Sequence, residues 1–270
     1  MAGTIDLLGP GVKGWRVGQR VVLQAGEEDS RGRLFTRGVD YDGGWAEYAT
    51  ATASTLVELP PDLPFEQACI IPDAVSTPWA AISRTGVVRP GEPVAVWGVG
   101  GLGVHAVQLL RLIGAAPIVA VDPLPAARQR AVRAGADLAL DPSCPDLDRQ
   151  IRTITSGAGI AAAFDFAGVD VARSQALQAL GRRGRLVLVG MSGSPMTIPD
   201  DLWFTYMEHQ VLGAYGSRPE HVEQLVALTS TGRLNLAESV SHVLTLHDVA
   251  EAVARMRSRD GDPTRLVLKP

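Results

Sequence analysis

Two cysteines, Cys69 and Cys144, are too few for a disulfide framework or a four-cysteine zinc site, and they point to a reducing, cytoplasmic setting. Lysine is nearly absent as well, occurring only at Lys13 and Lys269, a bias that reads as codon usage and not as chemistry. No block of basic residues occurs and the net charge is -4, which removes the electrostatic footprint of a nucleic-acid binder. No apolar run reaches the roughly 20 residues that a membrane span needs, so no membrane partner is expected. The opening Met1-Ala2-Gly3-Thr4-Ile5-Asp6 lacks the basic start and long apolar core of a signal peptide. What is left is 270 residues, 46% hydrophobic and 20% charged, able to bury one large or two ordinary domains.

Within that chain stands Gly98-Val99-Gly100-Gly101-Leu102-Gly103, preceded by an apolar run at 93–97 and followed by a helical pattern. The spacing matches a dinucleotide-binding turn. Gly98 permits the tight bend off the strand, Gly100 lets the backbone approach a pyrophosphate, and Gly103 lets helix and strand pack closely. The pyrophosphate is then expected on the N–H groups of Gly101, Leu102 and their neighbours at the positive end of the helix. Asp122 ends the next apolar run, 117–121, where a carboxylate can accept hydrogen bonds from both ribose hydroxyls. The same charge repels a 2′-phosphate, so the expected cofactor is NAD and not NADP.

Three zones follow one another along the chain. Residues 4–59 show short apolar pairs at 4–8 and 20–23 between turn residues, an all-β pattern, with an exposed loop at 24–44 and strand character again from Gly43 to Tyr48. Residues 75–217 alternate strand candidates (94–97, 118–121, 138–140, 161–166, 186–189, 211–214) with helical stretches such as 102–113, 126–134, 147–155 and 171–180. Six near-continuous apolar strands imply an α/β fold, a doubly wound parallel sheet covered on both faces, with ligand at its carboxyl edge. Gly168, Val189 and Gly190 fall at strand ends on that edge. Helices at 221–229 and 246–257 and a final strand at 265–268 complete the chain.

These residues together resemble the medium-chain dehydrogenase/reductase superfamily, in its zinc-type alcohol dehydrogenase branch. The resemblance runs through Gly9-Pro10-Gly11-Val12, Val17-Gly18-Gln19-Arg20-Val21, Asp42-Gly43-Gly44-Trp45-Ala46-Glu47-Tyr48, Asp73-Ala74-Val75-Ser76-Thr77-Pro78-Trp79, the glycine turn, and Leu246-His247-Asp248-Val249-Ala250-Glu251-Ala252. It implies a Rossmann NAD-binding domain at 75–217 inserted into a GroES-like β-barrel catalytic domain at 1–74 and 218–270, the latter N-terminally incomplete. It also implies a homo-oligomer, dimer or tetramer, paired across the strand at 211–214, and an alcohol or carbonyl substrate.

The departures from the family pattern carry as much information. The family's catalytic zinc takes an early cysteine, the histidine of a Gly-His-Glu, and a later acidic residue or cysteine; only the last has a counterpart, Asp73. The first two would lie before residue 1, so the expected true start is upstream and zinc is expected only where those ligands are supplied. As a plain residue, Asp73 reads as a capping aspartate. Cys69, on the apolar stretch 68–71, reads as a small core residue. The family's structural-zinc cysteines are absent from the loop after Val22.

Thr77 matches a family position near the nicotinamide, and also suits a helix start before Pro78. Arg265 matches a basic residue that reaches the pyrophosphate in some relatives; as an arginine on a terminal strand it reads as a solvated charge. His105 falls inside the first Rossmann helix and reads as packed, while His209, His221, His242 and His247 show no metal-like pairing. Trp45, Trp79, Trp203 and Phe204 are candidates for a substrate cleft or for core. The expected function is an NAD-dependent alcohol dehydrogenase-like oxidoreductase, with little zinc-dependent turnover in this chain. A zinc-independent quinone or enoyl reductase and a catalytically silent NAD-binding protein are the alternatives.

Overall fold

The computed structural model describes residues 1–29, 31–258 and 261–270, and the chain divides into two units, Met1–Ser76 with Gly216–Pro270, and Thr77–Tyr215.

The first unit begins with β1 (Ala2–Thr4), β2 (Arg20–Leu23), β3 (Gly26–Glu28), β4 (Leu34–Thr36) and β5 (Leu56–Glu58). β1, β2 and β5 form an antiparallel sheet in that order, with Val22 opposite both Ala2 and Val57. Val21, Val22 and Val57 are buried, which is why the 20–23 pattern makes a strand. The apolar stretch at 4–8 does not: β1 ends at Thr4, and Leu7 is 84% exposed. The loop expected at 24–44 contains the antiparallel β3–β4 hairpin, although Ser30 within it lies outside the described residues. Side chains hold that hairpin: the Asp29 carboxylate accepts from the N–H groups of Arg31 and Arg33, and Glu27 accepts from the Tyr41 and Thr52 hydroxyls at 2.7 and 2.8 Å. Then come α1 (Phe65–Ala68) and a wide π-type turn at Ile71–Val75, and α2 (Ser76–Ala80) starts at the last residue of this stretch and runs into the second unit.

The second unit alternates without exception: β6 (Val94–Trp97), α3 (Gly103–Ile113), β7 (Ile118–Val121), α4 (Pro125–Ala134), β8 (Leu138–Leu140), α5 (Leu147–Ile154), β9 (Ile160–Asp165), α6 (Asp170–Ala179), β10 (Leu180–Leu188), α7 (Asp201–Tyr206) and β11 (Gln210–Gly213). All six strands pair in parallel in the order β11-β10-β9-β6-β7-β8. The order reverses between β6 and β9, the switch point beside which such sheets take ligands. Sequence chemistry sets the helix limits. Gly114 and Gly135 close α3 and α4 in the left-handed conformation, and Pro125 opens α4 where its missing N–H costs nothing. Trp97, Ile118, Ile151, Ile160, Phe164 and Leu186 fill the core with essentially no exposure; truncating any one to alanine costs about 2–5 kcal/mol.

One buried histidine in this unit carries a pH consequence. His209 is T-shaped against Phe204 and its Nε2–H donates to the Gly181 carbonyl at 3.1 Å. Burial pushes its imidazole below the ordinary value, with the Gly181 bond working weakly the other way. A depressed histidine stabilises the fold above its unfolded value of about 6.5, and that stability is lost as pH falls through the folded value. The melting temperature of the native chain is therefore expected to drop more steeply than that of His209→Gln as pH falls below about 6.5. Parallel melting curves for the two proteins across this range rule the linkage out.

The chain then returns to the first unit with α8 (Pro219–Ser230), β12 (Val240–Thr245), α9 (Val249–Ser258) and β13 (Arg265–Lys269). β12 and β13 pair in parallel. Buried Gln24 joins the two halves of this unit, donating to the Ser217 carbonyl and hydroxyl at 2.9 and 3.0 Å, while Ser76 and Ser217 share a 2.7 Å hydrogen bond. Between β1, the 44–51 segment, α9 and β13 lies an open, mainly apolar cavity of about 1360 Å³.

Candidate cofactor site

The glycine turn leaves β6 directly. Gly98 has φ +85 and donates its N–H to Val121 on β7 at 2.8 Å; a Cβ there would come within 2.8 Å of the Ala167 nitrogen, so only glycine fits. At Gly103 a Cβ would overlap the Gly98 carbonyl oxygen, which is how closely α3 approaches the turn. A Cβ at Gly100 would meet nothing within 4 Å, so the turn presents open space on one side. No side chain caps the first turn of α3. Its N–H groups, Gly101 and Leu102 among the flanking residues, thus form an anion-receptive end. His105, fully buried in α3, donates from Nδ1 to the Gly101 carbonyl at 2.8 Å and pins the turn from beneath.

Asp122 stands one residue beyond β7 and is only 7% exposed. Its Oδ2 accepts from Val99 N–H at 2.7 Å and its Oδ1 from Leu124 N–H at 2.9 Å, so the carboxylate is tied to the glycine turn itself. Two cations lie nearby: Arg128 Nη1 donates to the Asp122 and Pro123 carbonyls at 2.7 and 2.9 Å and pairs with Asp141 at 2.9 Å, and Arg130 Nη2 donates to the Val99 carbonyl at 3.2 Å. Ser143 and Arg128 hold Asp141 below the usual carboxylate range, the Ser143 bonds first.

On the other side of β6, Gly168 follows β9, and Val189 and Gly190 follow β10. Val189 and Gly190 both donate N–H to the Asp165 carbonyl, at 2.9 and 2.8 Å. Gly168 and Gly190 touch backbone to backbone: a Cβ on Gly190 would lie 2.5 Å from the Gly168 nitrogen. Asp165 and Arg173, which pair at 3.0 Å with almost no exposure, were not singled out from the sequence. The readable signal was an acid closing an otherwise apolar strand.

In the first unit Asp73 sits in the Ile71–Val75 turn with its side chain exposed, and Cys69 is half-buried, not fully buried as its apolar neighbours suggested. Burial pushes the Cys69 thiol up, and its Sγ donates to the Glu66 carbonyl. Among the described residues no three His, Cys, Asp or Glu side chains are placed to share a metal ion. The donors around Asp73 therefore do not fit a catalytic zinc, which takes three protein ligands. Thr77 is buried at the start of the second unit.

Arg265 corrects the expectation of a solvated charge. It shares a strand face with buried Val267, its Nη2 is buried without a hydrogen-bond partner, and burial pushes the guanidinium down against the pull of Asp73. Trp45 and Trp203 are exposed, and Trp79 and Phe204 half-buried, so none of the four belongs to the deep core.

The comparisons with known proteins agree with this geometry. Residues 1–61 match the alcohol dehydrogenase GroES-like domain and residues 101–231 the zinc-binding dehydrogenase domain. The chain is 30% identical over 267 residues to an alcohol dehydrogenase of Geobacillus stearothermophilus, covering 94% of this chain and 77% of that one. It is 27% identical to the (R,R)-butanediol dehydrogenase of Bacillus subtilis, covering 100% of this chain and 79% of that one. Among solved structures it superposes on the 2R,3R-butanediol dehydrogenase of Bacillus subtilis with a TM-score of 0.91 at 25% identity, covering 100% of this chain and 79% of the other. On the alcohol dehydrogenase of Aeropyrum pernix the TM-score is 0.86 at 27% identity, with 100% and 81% covered. An open glycine turn tied to an acidic strand end on a doubly wound sheet, together with these matches, thus places the chain in the zinc-binding alcohol dehydrogenase family of oxidoreductases, within the medium-chain dehydrogenase/reductase superfamily.

Proposed function

We propose that this chain binds NAD and exchanges a hydride with an alcohol or carbonyl substrate. One observation carries the cofactor choice: Asp122 presents a fixed carboxylate beside the glycine turn, while of the nearby cations Arg128 is held by Asp141 and two carbonyls and Arg130 donates to the Val99 carbonyl. A 2′-hydroxyl finds an acceptor there, and a 2′-phosphate finds repulsion. In this reading Gly98, Gly100, Gly101, Leu102 and Gly103 hold the pyrophosphate. Gly168, Val189 and Gly190 line the remaining half of the crevice, and Thr77 of the same unit adds a contact. The nicotinamide supplies the hydride chemistry when bound, and the chain supplies binding, orientation and exclusion of water.

We assign the Thr77–Tyr215 unit to cofactor binding and the Met1–Ser76 with Gly216–Pro270 unit to substrate binding and catalysis. No step is routed through zinc, because the donors at Asp73 do not make a site. A second reading is a zinc-independent reductase in which orientation does most of the work. β11 lies at the free edge of its sheet, and exposed Leu202 and Tyr206 lie on the preceding helix, which supports self-association as a dimer or tetramer. The low cysteine count supports a cytoplasmic location.

Fluorescence titration tests the core of this reading. NADH is expected to bind with a dissociation constant in the range of about 1 µM to 1 mM, and NADPH at least about tenfold more weakly. Absence of NADH binding up to the top of that range sinks it. Absorbance at the nicotinamide band, followed over alcohols, quinones and enones with and without added zinc, separates the two catalytic readings. Binding with no turnover on any of them supports a silent cofactor-binding protein.

A further inference from the structure

We propose that the buried Asp165–Arg173 pair is the positioning device that sets the part of the crevice receiving the nicotinamide half of the dinucleotide; this rests on the dinucleotide reading above. The sheet order supplies the direction. Asp122 follows β7 on one side of β6, and the glycine turn follows β6 itself. A dinucleotide with its adenosine ribose at Asp122 and its pyrophosphate at the turn must extend its other half over the ends of β9 and β10, on the opposite side.

Those ends converge on one side chain and its partner. Asp165 closes β9 in register with Trp97 of β6 and Leu188 of β10. Its main-chain carbonyl accepts from Val189 and Gly190. Its Oδ1 accepts from the N–H groups of Ala167 and Gly168, both at 2.9 Å, and its Oδ2 from Arg173 Nε at 3.0 Å. Arg173 then spreads its fork across the neighbouring loop, Nη2 to the Gly190 carbonyl at 3.0 Å and Nη1 to Ser192 Oγ at 3.3 Å. The loop after β9 and the loop after β10 are thereby fastened to one carboxylate and one guanidinium, and Gly168 and Gly190 are pressed together. Arginine alone can do this, since its planar fork reaches three acceptors in fixed geometry. Asp165 is fully buried and the Arg173 guanidinium is spent on Asp165, Gly190 and Ser192, so both act through the loops they hold.

The test separates the two halves of the ligand. Arg173→Met is expected to weaken NADH binding by about tenfold or more, because loosening the loops misplaces the surface under the nicotinamide. ADP, which carries only the adenosine and pyrophosphate, is expected to bind within about twofold of the unmodified protein, since its contacts lie on the β6 and β7 side. Removing one member of a buried pair leaves the other uncompensated, so Arg173→Lys carries the test should the methionine variant fail to fold. Lysine keeps the charge beside Asp165 but loses the fork, and a loss of about threefold for NADH with ADP unchanged is expected. Equal losses for NADH and ADP, or no loss of NADH affinity in the folded variant, overturn the proposal. An unmodified protein that binds neither ligand removes the dinucleotide reading itself, and the positioning role with it.

Discussion

Gly103→Ala is expected to lose NADH binding by about 100-fold or more and to lower the melting temperature by several degrees. The added methyl group overlaps the carbonyl oxygen of Gly98, a main-chain atom that cannot swing aside as a side chain would. Gly98 in turn is fixed by its N–H bond to Val121 and by contact with Ala167, so the turn has nowhere to retreat. Relief must come from α3, which has to back away from β6. Overpacking of this kind costs about 1–3 kcal/mol, and in a chain of this size each kcal/mol lowers the melting temperature by about 2–4 °C. The binding loss is larger because the first turn of α3 carries the N–H groups aimed at the pyrophosphate. Hydrogen bonds to a charged group contribute about 1.5–3 kcal/mol each, so losing two reduces affinity about 100-fold or more. Gly100→Ala makes the control, since its Cβ meets no protein atom: stability should hold while binding falls. Wild-type NADH affinity in Gly103→Ala would show that the anion does not sit at this helix end.

Asp122→Ser is expected to weaken NADH binding by about 100-fold or more, the loss of two hydrogen bonds to a carboxylate. NADPH should gain little from the same change. Arg128 is the cation closest in sequence to hand, and it remains paired with Asp141. Adding Asp141→Asn to Asp122→Ser removes that competitor and is expected to raise NADPH affinity by about tenfold over the single variant. Calorimetric titration of both cofactors against both variants reads these outcomes. Unchanged NADH affinity in Asp122→Ser removes the ribose assignment, and NADPH affinity that does not respond to Asp141→Asn removes Arg128 from the account.

The parts legible in the sequence were those written in local chemistry. β6 and β7 stand at the residues their apolar runs marked, because a strand buried on both faces must be continuously apolar, and β8, at the sheet edge, also falls where its run marked it. α3 and α4 end where glycine follows. The illegible parts depend on partners far away in the chain. The β3–β4 hairpin, Gly26-Glu27-Glu28 against Leu34-Phe35-Thr36, has no alternating face to read; Tyr41 and Thr52, more than ten residues on, supply the bonds to Glu27. Arg265 looked like a surface charge because nothing local announces that β12 lies beside it. Asp165 was visible as an acid on an apolar strand, but Arg173, eight residues later on a helix, follows no periodic rule that joins the two.

The contact between Gly168 and Gly190 bears on how such a protein can diverge. Where two loops meet through bare main chain, there is no side chain to shorten, lengthen or recharge, so point mutation has almost nothing to select upon. Any substitution there intrudes on backbone. A lineage descending from this chain would keep that part of the crevice unaltered while its reaction partners changed, and new preferences would have to be written in residues elsewhere.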